Sequence, residues 1–251
     1  MRSSLKPPLM SNFKHHNTVP KAHMLPPGQI ARADFPRFGL TPYAERCPSQ
    51  PTDCAITVNV LSAPPVVISD ALNGLARTTL RADFHCVTTW SHLGLMWGGV
   101  RFSEFFSQRI APLSVASATI VGVVLRGQDG YRTSLLLEDL MADDVLLADE
   151  LNSQPLSIEH GAPLRLIAPR HYGYKSMKHL SILEFWATVP VIKHGPLALL
   201  DHPRARVALE ERGRWFPGWL LRHAYRPFIS STAEKFRIGM LKHTQTRGAP
   251  P

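Results

Sequence analysis

The chain has 251 residues, enough for one large domain or two small ones, and 44% of them are hydrophobic, which excludes a disordered or fibrous protein. No run of about 18 apolar residues offers a membrane span, and three cysteines (Cys47, Cys54, Cys86) are too few for a disulfide framework; the N-terminus shows no basic cap ahead of an apolar stretch, so the expected setting is the cytoplasm. The net charge of +9 is uneven: residues 1–46 hold seven basic against two acidic residues, residues 204–247 hold ten against three, and the middle holds eleven against fourteen.

Nine of the 22 prolines fall in residues 1–51, where fixed φ and missing donors predict an extended arm. Residues 1–25 read as a disordered or extended tail, and residues 26–42, which mix aromatics with arginines, as a segment that packs on a domain. From Ala55 the pattern shifts to short elements. Strands are expected at 55–60 and 79–85, with a helix capped by Ser69 and running to about Arg77 between them. A helix over 101–108, a strand over 119–125 and a short acidic helix over 137–143 follow. Further strands are expected at 145–151, 164–168 and 180–186, and helices at 204–212 and 219–225. Short strands interleaved irregularly with short helices, without a βαβ period, predict an α+β fold of mixed sheets. Residues 26–198 form the expected domain with its arm, and 199–251 a basic helical extension.

Two segments concentrate chemistry. In Asp83–Val100 (DFHCVTTWSHLGLMWGGV), Cys86 stands where an alternating strand ends and a Thr/Ser-rich loop begins. A strand end holds a side chain rigidly with open space above it, so Cys86 reads as a small buried hydrophobe, a nucleophile or a soft-metal ligand. His85 is adjacent on the strand and points to the opposite face, which makes it a poor base for Cys86. In Glu159–Leu180 (EHGAPLRLIAPRHYGYKSMKHL), Lys175, Ser176 and Lys178 follow a glycine, with Arg165 on a preceding strand. That set reads as a solvated basic loop or as a phosphate cradle with a planar guanidinium fork beside it. Between the two segments, Gln128–Thr133 carries a turn signal that leads into a strand and lines a pocket on the functional reading. Neither a Walker motif nor GxGxxG is present, and no CxxCH or four-cysteine cluster encodes a haem or iron–sulfur site.

Taken in order and at their spacing, DFHCVTTWS with Trp97-Gly98-Gly99, DGYRTSLLLEDLMADDVLLA, EHGAPLRL and APRHYGYKSMK resemble the molybdopterin-binding domain of the sulfite oxidase family, over roughly residues 26–190. The resemblance is strongest to its stand-alone bacterial oxidoreductases. It implies a fold of mixed sheets and short helices around one molybdenum-bearing pyranopterin, with Cys86 as the thiolate on the metal. It places His160 and Arg165 on the pterin, and Ser176, Met177 and Lys178 on its phosphate with Lys175 beside them. Asp34, Arg37 and Phe38 of the arm fall where relatives lay residues against the cofactor. The chain departs from the family at His179, where Trp is common, and at Arg126-Gly127-Gln128, where a small hydroxyl or thiol residue is usual before the Asp-Gly-Tyr turn.

The activity so implied is two-electron oxidoreduction with oxygen-atom transfer, on a sulfite-like or sulfoxide-like small molecule, with an external electron-transfer partner. Two other classes compete. One is a non-catalytic protein whose basic ends bind nucleic acid or an anionic membrane. The other is a cysteine hydrolase, which needs a base such as His160 or His171 near Cys86.

Overall fold

A computed structural model describes residues 24–48, 54–61, 63–113, 119–190, 192 and 201–248. Two sheets make the body. The first is built from β1 (Ile30–Ala31), β4 (Arg77–His85), β5 (Trp90–Arg101), β8 (Leu146–Leu151), β9 (Gln154–Pro155) and β10 (Arg165–Ile167), with β5 and β8 at its centre. The second runs in the order β3 (Val66–Ile68), β2 (Ile56–Val60), β11 (Leu180–Trp186), β6 (Gly122–Gly127) and β7 (Arg132–Leu136). β1 lies parallel to β5 and β11 parallel to β2, while the remaining pairs are antiparallel, so both sheets are mixed. The helices are α1 (Phe102–Phe105), continued by a π-turn to Ile110, then α2 (Leu137–Leu140), α3 (Gly218–Tyr225) and α4 (Ile229–Gly248).

Alternation explains why the strands sit where they do. In β2 the buried side chains are Ile56, Val58 and Val60, with half-buried residues between them. These join Leu125 of β6, Leu183 and Phe185 of β11, Val100 of β5 and Phe102 of α1 in one core between the sheets. A smaller cluster, Leu95, Trp97, Leu146 and Ile167 with Phe35 and Phe84 packed against it, lies beside the first sheet. The Trp97-Gly98-Gly99 step has a steric cause. A Cβ on Gly98 would come to 2.5 Å from Glu150 Oε2, and one on Gly99 to 2.1 Å from the Leu147 carbonyl oxygen, at the point where the β5–β8 register shifts.

Two expected helices are absent. Residues 69–75 form successive turns, because Asp70 (φ 48°) and Gly74 (φ 71°) take left-handed conformations that end an α-helix. Residues 204–212 hold a turn at 207–210 and an isolated bridge from Arg206 to His171, with left-handed conformations at Ala205 (φ 56°) and Glu210 (φ 53°). The twelve-residue β5 was not anticipated and continues directly from the expected loop after Cys86; the twenty-residue α4 falls in the segment expected to be helical, where no helix was delimited beyond Tyr225.

The C-terminal extension packs onto the arm and the domain. Phe236 of α4 stacks at 6.3 Å on Phe38 and lies under the Arg37 guanidinium at 5.0 Å. Ala205 and Val207 cluster with Tyr172.

The glycine that opens the basic loop is a packing requirement. A Cβ on Gly173 would fall 2.1 Å from Phe84 Cζ, and Phe84 sits two residues before Cys86. Gly173→Ala is therefore expected to destabilise the fold by about 1–3 kcal/mol, read as a lower denaturant midpoint at unchanged slope.

Candidate cofactor site

Cys86 begins the tip of the β4–β5 hairpin. Its N–H donates to the Trp90 carbonyl (2.8 Å), the Thr89 N–H returns to the Cys86 carbonyl (3.1 Å), and Thr89 takes φ 84° to close the turn. The arm adds a brace: Gln29 Nε2 donates to the Cys86 carbonyl (3.0 Å), and Gln29 Oε1 accepts from Ser91 Oγ (3.0 Å), which lies 2.7 Å from His85 Nδ1. His85 is thus engaged on the far side of the strand, as the alternation predicts. The buried Cys86 Sγ lies 3.1 Å from Thr88 Oγ1. Burial pushes its thiol above the ordinary range, while Thr88 and the charges of Arg212 and Lys178 pull the other way.

The thiol faces a cavity of about 150 Å³. Phe38, Phe84, Trp90 and Phe236 supply its apolar walls, and Arg37 and Lys178 its cationic ones. Three loops converge on Lys178. A Cβ on Gly161 would lie 3.1 Å from Lys178 Cβ, and one on Gly127 would lie 2.7 Å from the Lys178 carbonyl oxygen; Lys178 Nζ itself donates to the Glu159 carbonyl (3.0 Å). Burial first, then repulsion from Arg165 and Arg37, brings the ammonium down to about 7.

Arg165 is fully buried. Nη1 donates to the His160 carbonyl (2.7 Å), Nη2 to the Ser176 carbonyl (3.4 Å), and the guanidinium lies 4.8 Å from the Trp97 ring; Nε has no partner. Burial lowers its pKa to about 9. His160 stacks on Phe35 (4.8 Å, 8° between planes) and leaves Nδ1 without a partner, and His179 bonds Ala162 through Nδ1 (2.7 Å) and leaves Nε2 bare.

Not every expected residue reaches this cavity. Arg37, Phe38, Ser176 and Lys178 line it; Arg165 and His160 do not, although the Arg165 guanidinium lies 5.9 Å from the ring of Phe84, a lining residue, and repels Lys178. The Ser176 hydroxyl accepts from the Ala168 N–H (3.1 Å), which holds the loop in shape. Lys175 turns away to the Ser134 carbonyl (3.0 Å) and to Asp201 (3.3 Å), Met177 packs into the core between the sheets, and Asp34 pairs with Arg32 on the surface (2.7 Å). A loop with alternating side chains cannot aim Lys175, Met177 and Lys178 at one ligand.

Asp129 and Tyr131 line the cavity, as the pocket reading of Gln128–Thr133 expects, whereas sequence reading alone missed Gln29, Thr88, Phe236 and Arg212. The last is fully buried and donates to the carbonyls of Val87 (2.5 Å) and Pro27 (3.0 Å), tying the hairpin tip to the arm. Its signal was present only as one more charge in the basic extension. Neither base that the hydrolase reading names lines the cavity beside the thiol: the His171 ring bonds the Arg204 carbonyl (2.5 Å), and His160 is stacked on Phe35.

The donor set suits an anionic cofactor that brings most of its own metal ligands. Among the described residues no group of three or more His, Cys, Asp or Glu could hold a metal ion. A lone thiol therefore serves a metal only if another molecule supplies further donors. Bare Nδ1, Nε and Nε2 atoms on His160, Arg165 and His179, together with two desolvated cations, define the charge and the hydrogen-bond needs of that molecule.

The model of the family described as "oxidoreductase molybdopterin binding domain" matches residues 45–190. The uncharacterized oxidoreductase YuiH of Bacillus subtilis (strain 168) is 34% identical over 164 residues, covering 64% of this chain and 78% of its own length. The protein-methionine-sulfoxide reductase catalytic subunit MsrP of Xanthomonas axonopodis pv. citri (strain 306) is 31% identical, over 58% of this chain and 52% of its own, so the chain spans about half of that relative. The solved structure of the sulfane dehydrogenase SoxCD from Paracoccus pantotrophus aligns with 53% of this chain and 38% of its own at 24% identity, with a TM-score of 0.45.

The two desolvated histidines make stability depend on pH. Burial holds the pKa of His160 at about 3 and that of His179 at about 4, below the ordinary 6.5, with Lys178 adding to the effect at both. Between these values the unfolded chain binds protons that the folded chain does not, so this stability is complete above about pH 6.5 and is lost as pH falls toward 4. Thermal unfolding of the cofactor-free protein should drop on the order of 5 °C between about pH 7 and about pH 5, and His160→Gln with His179→Gln should flatten that slope.

Proposed function

Since the chain belongs to the family of oxidoreductase molybdopterin-binding domains, we propose that the Cys86 cavity is where it holds its cofactor and that the reaction run there is the reduction of a sulfoxide. The protein is a molybdopterin-dependent oxidoreductase, and its cofactor, when bound, supplies two-electron chemistry with oxygen-atom transfer. The single observation that carries the site assignment is a rigidly braced thiol opening on a cavity lined by Lys178, with the buried Arg165 close behind it; neither cation stands in an ion pair among the described residues, and Asp129 and Glu159 act on Lys178 only at longer range.

On this reading the side chains divide the work. Cys86 binds the metal. Lys178, Arg165 and the loop N–H groups around Ser176 take the phosphate end, and His160 and His179 donate to or accept from pterin heteroatoms through their bare nitrogens. Arg37 is spent on the Ala44, Tyr43 and Arg46 carbonyls and acts as a wall and a local positive charge. Phe38, Leu40, Trp90 and Phe236 exclude water and present an apolar surface, which suits the carbon substituents of a sulfoxide better than a free inorganic anion. The similarity to a protein-methionine-sulfoxide reductase supports the same choice. Electrons are proposed to come from an external partner, and the cytoplasm is the proposed setting, on the strength of the cysteine usage.

The basic C-terminal segment does not favour a nucleic-acid-binding protein. Of ten basic residues in 204–247, six stand in ion pairs: Arg204 with Asp139, Arg206 with Glu211, Arg212 and Arg222 with Glu210, Arg237 with Glu234 and Lys242 with Glu45.

Protein purified from a host that makes the cofactor should carry close to one molybdenum per chain and release a fluorescent pterin on acid treatment. Cys86→Ser should change the molybdenum absorption spectrum, and Lys178→Met should lower pterin content about tenfold while the fold persists. Well-folded wild-type protein free of both metal and pterin would overturn the site assignment. For the substrate, loaded enzyme should oxidise a reduced viologen dye on addition of an alkyl sulfoxide; turnover of sulfite with an oxidising dye, and none of the sulfoxide, would reverse the direction proposed.

A further inference from the structure

Residues 214–228 present a face that the cofactor site does not use. Trp215 is 67% exposed, Trp219 56% and Phe228 63%, and Phe216 and Leu220 are also open. They occupy α3 and the turns at its two ends. The helix directs Leu221 inward and leaves Trp219, Leu220, His223 and Ala224 outward, while Arg222 reaches back to Glu210. Five large apolar side chains open to solvent within fifteen residues are rare on a surface that meets only water.

The charge within this segment has one sign, and Glu210 just ahead of it is already engaged by Arg212 and Arg222. Between residues 212 and 233 stand Arg212, Arg214, Arg222, Arg226 and His223, with no Asp or Glu. Arg212 is buried, whereas Arg214 and Arg226 are exposed beside the aromatics. A second copy of the chain would bring this basic ring against itself, which Coulomb repulsion disfavours. An anionic bilayer complements both halves of the patch: Trp and Phe settle at the headgroup level and Arg reaches lipid phosphate. No helix among the described residues is long and apolar enough to cross a membrane, so the fitting mode is one in which α3 lies along the surface.

We propose that residues 214–228 dock this protein on an anionic lipid surface, with Trp215, Trp219 and Phe228 inserted among the headgroups and Arg214 and Arg226 on phosphates. This is independent of the cofactor assignment, because vesicle binding is read without turnover.

The test is co-sedimentation of the full chain with vesicles of equimolar phosphatidylglycerol and phosphatidylcholine, and with phosphatidylcholine alone. Binding is expected on the mixed vesicles, weakening with salt, and little on the zwitterionic ones. Trp215→Ser, Trp219→Ser and Phe228→Ser together should weaken it about tenfold or more at unchanged circular dichroism and metal content. Arg214→Gln with Arg226→Gln should remove most of the salt dependence, which serves as the check if the aromatic variant folds poorly. No binding of wild-type protein, or equal binding by both variants, would overturn the proposal. So would a wild-type dimer in sedimentation that the aromatic variant converts to monomer without any vesicle binding, since the face would then be a self-contact.

Discussion

A positive charge enclosed without a matching carboxylate is the constraint on which the rest of this structure depends. Arg165 is wholly buried, and burial alone accounts for the fall in its pKa. Such a charge costs several kcal/mol unless it is well hydrogen-bonded. The chain answers with carbonyls and aromatic faces: His160 and Ser176 lend their oxygens, and Trp97 and Phe84 their rings. Those four contacts draw together the turn before β10, the basic loop before β11, the middle of β5 and the end of β4. The surroundings of Cys86 are therefore assembled around a cation, and the same cation sets what can bind next to it.

The strands were legible because their faces differ. β2, β4, β8, β10 and β11 fall within one or two residues of the expected runs, each having a buried and a less buried side or a short apolar run between turns. β5 was not legible because Trp90–Arg101 does not alternate cleanly; Gly98 and Gly99 are buried together where β8 comes close. The helices expected at 69–77 and 204–212 failed at left-handed residues, of which only Gly74 is announced by its type; Asp70, Ala205 and Glu210 are not. α4 buries only a narrow stripe, Thr232 and Phe236 on its inner side with Gly239 against the Ala44 carbonyl, so its apolar signal is diluted among polar residues.

At the site, the motifs located the loops and the resemblance assigned the ligand, but side-chain direction was beyond either. Lys175 and Lys178 look equivalent in sequence, yet one serves Asp201 and the other the cavity. Arg212 looks like one more tail charge and is in fact an internal clamp on the hairpin tip. Both distinctions come from tertiary packing, which no window of the chain contains.

The cavity wall has one further consequence. Phe38 comes from the arm and Phe236 from α4, and the same two segments are joined by the Glu45–Lys242 ion pair, 197 positions apart. The domain proper supplies the thiol and Lys178, while the arm supplies Arg37 and, together with α4, the apolar roof. The roof is no independent lid, because the same arm pairs with β5, braces the Cys86 carbonyl through Gln29 and stacks Phe35 on His160. One stretch of chain thus builds the cavity wall and an edge of the first sheet, so a change that loosens the clasp between two remote segments reaches the footing of the thiol as well as its cover.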